Sequence, residues 1–186
     1  IEKGRYPMSE PTSPDEVKLI SSLFSPERPC IDQAIERLKE IYGPVEWESP
    51  ELFFDRTTYY AREMGWPLHR RFVSFKRLVP PEGLVEIKLT TNRIEAEYAE
   101  DGKRRINIDP GIISAERLVL ATGKNYIHRI YLGQGIYADL TLIFVKGSYR
   151  SLDWTYRDYA DPEMVQYFND IRAAYREQLR ERKRID

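Results

Sequence analysis

Cysteine and histidine are both scarce in this 186-residue chain, which holds one Cys (Cys30) and two His (His69 and His128). A lone cysteine forms no internal disulfide, which fits a reducing cytosol. Two histidines on separated segments with a single thiol offer no zinc-ligand spacing, so no metal site is expected. Long apolar runs are missing too. None nears the roughly 18 residues that span a bilayer, and the opening IEKGRYPMSE has no apolar signal core. The expectation is a cytoplasmic protein, neither secreted nor membrane-embedded. Ile1 is not a translational start, so Met8 is the expected native one and residues 1–7 carry no functional weight.

Charge of one sign is also lacking, with Lys+Arg at 29 against Asp+Glu at 30. That balance disfavours a general electrostatic grip on nucleic acid and leaves local basic patches open. There is no Walker A sequence: Gly123-Lys124 is followed by Asn125, and Leu118 stands where the first glycine belongs. A P-loop GTPase mechanism is therefore unsupported. Nor is there a G-x-S-x-G nucleophile elbow, an internal repeat, a low-complexity tract or a linker.

What remains is an ordinary globular composition, 41% apolar and 32% charged, of a length suited to one domain. Residues 1–16, rich in proline towards their end, read as an extended lead-in, and residues 17–186 as a single domain. A strand is expected over residues 17–24. A helix follows, with Ile31, Ala34, Ile35, Leu38, Ile41 and Tyr42 as its apolar stripe and Gly43-Pro44 as its stop. An extended segment over 45–54, one helical turn over 59–64 and a strand over 69–78 come next. Pro80-Pro81 opens a second helix whose Leu84, Ile87, Thr91, Ile94 and Tyr98 recur at steps of three and four.

A strand over 104–109 completes the order βαββαβ. This predicts an α+β, ferredoxin-like antiparallel sheet with both helices on one face. A short helix from Ser114, a C-terminal β-hairpin over 126–145 and a terminal helix would extend it. Asp161-Pro162-Glu163 reads as the N-terminus of that last helix, with Met164, Phe168, Ile171, Tyr175 and Leu179 facing inward.

The stretch 104–145 alternates so regularly that sheet faces can be drawn from it. Ile106 and Ile108 share one face; Arg105, Asn107 and Asp109 share the other. Gly133-Gln134-Gly135 is the hairpin turn, with Arg129 opposite Asp139 and Tyr131 opposite Tyr137. His128, Ile130, Leu132, Ile136, Ala138, Leu140 and Leu142 then form the core side. The candidate ligand-binding residues are Arg105, Asn107, Asp109, Arg129, Tyr131, Tyr137, Asp139 and Trp154. Set against this is a solvated sheet face held by cross-strand pairs, common in antiparallel sheets.

Other features have similarly plain explanations. Asp109-Pro110-Gly111 reads as a turn before a helix N-terminus, which could hold an anion. His128 reads as a satisfied core histidine. Phe72-Val73-Ser74-Phe75 matches the end of an RNA-recognition signature, but buried strand phenylalanines explain it. Trp154-Thr155-Tyr156, with Asp158 and Tyr159, form either a lid over the domain edge or a flat wall for a ligand. The basic tail from Arg176 to Arg184 suits a helix C-terminus.

RRINIDPG, LVLAT, KNYIHRIYLGQGIYA and WTYRDY, with the earlier RRFVSF, resemble a bacterial and archaeal family of single-domain proteins of unknown function, often labelled GTP-binding. The likeness runs from Val17 onward. It implies a self-contained domain and supplies neither an activity nor a catalytic residue.

The function expected first is binding of a small anionic or nucleotide-like ligand on the polar sheet face. Arg105 and Arg129 would meet the anion, Asn107 and Asp109 would orient it, and Tyr131, Tyr137 or Trp154 would wall it. The second is an enzyme acting on a phosphorylated or nucleotide substrate with Asp109 or Asp139 as base. The third is an RNA- or protein-binding module. No cofactor, catalytic residue or oligomeric state follows from the sequence.

Overall fold

The computed structural model describes residues 10–53, 64–65 and 67–185. The elements in order are β1 (Val17–Ser25), α1 (Arg28–Tyr42), β2 (Val45–Glu48), β3 (Leu52–Phe53), β4 (His69–Val79), a 3-10 turn (Pro81–Gly83), α2 (Leu84–Glu97), β5 (Asn107–Ile113), β6 (Arg117–Thr122), β7 (Arg129–Gly133), β8 (Ile136–Val145), β9 (Ser148–Ser151), α3 (Arg157–Ala160) and α4 (Pro162–Ile185). The fold is α+β. Among the described residues nine strands form one antiparallel sheet ordered β2, β4, β1, β5, β6, β8, β7, with β3 beside β4 and β9 beside β8. Among the described residues no helix is long and apolar enough to cross a membrane. The helical turn expected over 59–64 falls almost wholly outside the described residues.

Each face of the sheet is covered because its strands present apolar side chains in alternation. On one face Leu19, Leu23, Val73, Phe75 and Ile108 pack against Ile31, Ile35 and Leu38 of α1 and Ile87 and Ile94 of α2. On the other, Ile20, Phe72, Ile113, Leu118 and Leu142 meet Met164, Phe168 and Ile171 of α4. The expected helical stripes are therefore the buried ones, except that Ile41, Tyr98 and Leu179 are only half-buried. Gly43 ends α1 at φ +90°, its N–H donating to Lys39 O. The Asp161 carboxylate accepts the Glu163 N–H at 3.0 Å at the start of α4. Phe72 and Phe75 are buried on opposite faces, so neither ring offers the exposed stacking surface of an RNA-recognition sheet.

Three expectations are corrected. No helix starts at Ser114: β5 and β6 form a hairpin there, closed by Ser114 N–H donating to Arg117 O. Asp109-Pro110-Gly111 is accordingly no turn but the middle of β5. Pro110 is tolerated because the Ile108 N–H points away from β1, and two residues on the proline nitrogen points the same way, so no β1 bond is lost. Lastly, the hairpin of β7 and β8 has Arg129 opposite Asp139 and Tyr131 opposite Tyr137 as expected, but its presumed core side is not core in β7. That strand is the sheet edge, and Ile130 and Leu132 are exposed.

Candidate functional site: a cavity where the sheet divides

Strands β5 and β6 pair over only three rungs, Gly111 with Leu120, Ile112 with Val119 and Ile113 with Leu118. Beyond Gly111 they part. Residues 107–110 keep β1 as their neighbour, while Ala121 and Thr122 continue along β8. An unpaired strand edge carries backbone groups that must find partners. Here α2 supplies them: Glu95 Oε1 accepts the Ile108 N–H at 2.6 Å, and Lys88 Nζ donates to Ile108 O at 3.1 Å. Lys88, Asn92 and Glu95, spaced four and three apart, form one stripe of α2 facing a cavity of about 750 Å³.

Register fixes what else faces that space. Residues directly opposite in an antiparallel pair share a face. Phe24 is opposite both Arg70 and Asn107, Ser22 is opposite Asp109, and Leu120 is opposite both Gly111 and Asp139. Asn107, Asp109, Asp139 and Arg129 therefore lie on the same side of the sheet, and all four line the cavity. A bulge at Thr141 in β8 sets this phase, because Leu118 pairs with Leu142 but Val119 with Leu140. Tyr156 and Asp158, at the start of α3, close the far wall.

The polar groups are interlocked. Asp139, 4% exposed, accepts from Arg129 Nε at 2.8 Å, lies 3.2 Å from His128 Nε2, and is reached by the Thr141 hydroxyl. Arg129 also donates to Lys124 O and to the Tyr156 hydroxyl, each at 3.0 Å. Asp109 accepts from Asn107 Nδ2 at 2.7 Å and is 3.5 Å from Lys88 Nζ. Arg104 donates to Asn107 Oδ1 at 3.0 Å and stands 3.8 Å from Glu95 Oε2. Arg70 pairs with Asp158. Burial, reinforced by the nearby Asp109 charge, pushes the Glu95 carboxyl up to about 7, against the pull of Lys88, the Ile108 N–H and Arg104.

That shift has a consequence for stability. The folded chain holds the Glu95 proton to about pH 7, whereas the unfolded chain releases it near 4.5, so folding loses stability as pH rises through this window. The expected loss from this group is about 2 kcal/mol between pH 5 and pH 7. Glu95→Gln keeps an acceptor for Ile108 and should flatten that part of the profile. Urea titrations at pH 5, 6 and 7 decide it; equal slopes in both proteins would remove Glu95 as the cause.

Four of the eight residues chosen from sequence stand elsewhere. Arg105 precedes β5 instead of lying in it, and its guanidinium is taken by Glu27 and Glu100 at the surface. Tyr131 and Tyr137 pack against each other near the hairpin tip, ring centroids 5.2 Å apart and planes tilted by 55°. Trp154 does not wall the cavity. Its ring lies flat on His128 at 5.0 Å, and its indole N–H donates to Leu140 O at 2.7 Å. His128 is likewise not a core histidine on the opposite face; clamped by Trp154, it backs Asp139.

Sequence reasoning missed Lys88, Glu95 and Arg70. A signal existed for the first two. Lys88 and Glu95 each sit one position after a buried isoleucine, Ile87 and Ile94, seven residues apart, which puts two charges on the flank of an inward stripe.

Fold and site together define an α+β protein whose antiparallel sheet opens into a polar, charge-lined cavity. The chain belongs to the family described as Domain of unknown function (DUF4416), whose model matches residues 15–175. Every cavity-lining residue lies inside that range. No curated protein and no solved structure matches the chain.

Proposed function

We infer that this protein binds a small anionic, nucleotide-sized molecule in the cavity between β5 and β6. One observation carries the reading. Among the described residues, six cationic side chains (Arg70, Lys88, Arg104, Lys124, Arg129 and Arg157) and four carboxylates line this space, an excess of two positive charges. Each of those carboxylates has a cation beside it: Arg70 by Asp158, Arg129 by Asp139, Lys88 by Asp109 and Arg104 by Glu95. Low-dielectric walls strengthen what attraction remains, and the volume suits a small ligand. Phe24, Leu120 and Ala121 supply apolar surface for its uncharged part.

Arg157 is the residue to test, being exposed and on a short helix, so that its loss spares the core. Arg157→Ala should weaken binding of phosphorylated ligands about tenfold, the size expected for one charge-assisted contact, without changing the melting temperature. Thermal-shift and calorimetric titrations with inorganic phosphate, pyrophosphate and nucleoside mono- and triphosphates provide the measurement. Absence of saturable binding by all of them would remove the reading.

A second reading, an enzyme acting on a phosphorylated or nucleotide substrate, draws on Glu95. A buried carboxyl that titrates near neutrality inside a cavity suits general acid–base work. In this version Glu95, and not Asp109 or Asp139, is the proton-transfer group. Product release from such substrates by the wild type but not by Glu95→Gln tests it.

We also propose that β1, α1, β2, β4, α2 and β5 constitute a ferredoxin-like unit to which β6–β9, α3 and α4 are added. The support is the spatial order β2, β4, β1, β5 with α1 and α2 against the same face.

A further inference from the structure

We propose that two copies of this chain associate edge to edge, β7 of one protomer pairing antiparallel with β7 of its partner about a two-fold axis at Tyr131. The sheet then runs on from one protomer into the other. This association does not depend on what the cavity binds.

A strand edge presents a row of unpaired N–H and C=O groups, and it recruits another strand unless it is short, charged, interrupted by proline or covered. Two of the sheet's edges are protected in these ways. At one end β2 and β3 are four and two residues long, β2 carries Glu46 and Glu48, and Pro44 and Pro50 flank it. Beside the far half of β8, β9 is covered by α4, whose Asn169 Oδ1 accepts the Tyr149 N–H at 3.0 Å. The edge formed by β7 has neither protection. No proline stands between Tyr126 and Leu132, and the one arginine there, Arg129, turns inward to Asp139 and the Tyr156 hydroxyl. Among the described residues β8 is the only strand that pairs with β7.

Backbone direction selects the register. Arg129 N–H donates to Tyr126 O at 3.0 Å, away from β8. Backbone groups two residues apart in a strand point the same way, so the N–H and C=O of Tyr131 also face the open side. A two-fold axis at Tyr131 joins each of these groups to its counterpart on the twin residue, which closes the contact upon itself. The register irregularity of β7 falls between Tyr131 and Gly133, at the hairpin end, and leaves Tyr131 opposite Tyr137.

This register is self-complementary. Opposed residues share a face, so Ile130 meets the partner's Leu132, and the four aliphatic side chains of the two protomers form one cluster. On the other face the two Tyr131 rings meet, each beside its own Tyr137. Arg129 falls opposite the partner's Gly133, so no like charges are opposed. Tyr126, Ile127, Ile130, Tyr131 and Leu132 are 65, 93, 69, 59 and 42% exposed, all within one short stretch. At about 150–250 Å² for a large side chain, covering them removes about 500–800 Å² from each protomer. The resulting total of about 1,000–1,600 Å² reaches what a specific dimer needs.

Analytical ultracentrifugation of the whole chain from about 1 to 200 µM, the range open to an interface of this size, tests the proposal. The wild type should convert from the 22.0 kDa monomer to a dimer as concentration rises. Ile130→Lys, at an exposed position that leaves the fold intact by circular dichroism, should raise the dissociation constant at least about a hundredfold, since it places a lysine in the cluster twice. Tyr131→Cys should give a disulfide-linked dimer on mild oxidation, because the axis sets the twin positions within bridging distance. Val145→Cys, exposed but away from β7, should not. A wild type that stays monomeric throughout overturns the proposal and leaves the edge to a strand from a different protein. A dimer that survives Ile130→Lys, or that is not cross-linked through Tyr131→Cys, meets through another surface and overturns it equally.

Discussion

Gly111→Ala should lower the unfolding free energy by about 3 kcal/mol. A Cβ at this position would lie 2.6 Å from Leu120 Cδ2 and 2.8 Å from Val119 O. The leucine tip can turn aside; the carbonyl cannot, since it belongs to the strand across the rung. Relief therefore requires β5 and β6 to separate, and they are joined by only three rungs, of which Gly111 is the one bordering the cavity. The constraint is one of contact, not of backbone conformation, so the roughly 0.4–1 kcal/mol gained from a less flexible unfolded chain offsets only part of the clash. Urea denaturation should give a lower midpoint with an unchanged slope. If Gly111→Ala is as stable as the wild type, the close approach of the two strands is not as described.

The same three rungs explain what could be read from the chain and what could not. Helix stripes were legible because burial repeats with the helical period: Ile31, Ala34, Ile35 and Leu38 on α1, and Met164, Phe168 and Ile171 on α4, are buried as their spacing implies. The Arg129–Asp139 and Tyr131–Tyr137 pairs were legible because a glycine-flanked turn, with Gln134 at φ +51°, pins the register. The hairpin between β5 and β6 was not. Asp-Pro-Gly followed by Ser-Ala-Glu has the composition of a turn and a helix start, and only the presence of β1 on one side lets Pro110 sit inside a strand.

The candidate site was half legible for a related reason. Alternation puts Asn107, Asp109, Arg129 and Asp139 on one face, and pairing makes that face continuous across β5, β6, β8 and β7. Alternation says nothing of where a strand begins, and so misplaced Arg105. It also cannot reveal that two neighbouring strands diverge, which is what admits Lys88 and Glu95 from a helix on the opposite face. The bulge at Thr141 adds a further break in period that no two-residue repeat anticipates.

Arg70→Ala should be the most damaging single change at the site, at about 3–5 kcal/mol, the range for removing one partner of a buried ion pair. Arg70 is 4% exposed. Its guanidinium carbon lies 4.5 Å from the Phe72 ring centroid, 5.3 Å from that of Tyr159 and 6.0 Å from that of Phe24, while Nε donates to the Ser22 hydroxyl at 2.8 Å and Nη1 to Asp158. One side chain thus joins β1, β4 and α3 at the cavity wall. Alanine leaves a void among three aromatic rings, a serine without its donor, and a carboxylate without its cation. Two further variants separate these losses. Arg70→Lys keeps the charge but cannot span Ser22 and Asp158 with one ammonium as a guanidinium does, and should recover less than half of the deficit. Arg70→Met combined with Asp158→Asn fills the void and removes the stranded charge, and should recover most of it. Chemical denaturation of the four proteins measures each part. An Arg70→Ala variant within 1 kcal/mol of the wild type would mean that the cation is a surface ligand and not the joint between the sheet and α3.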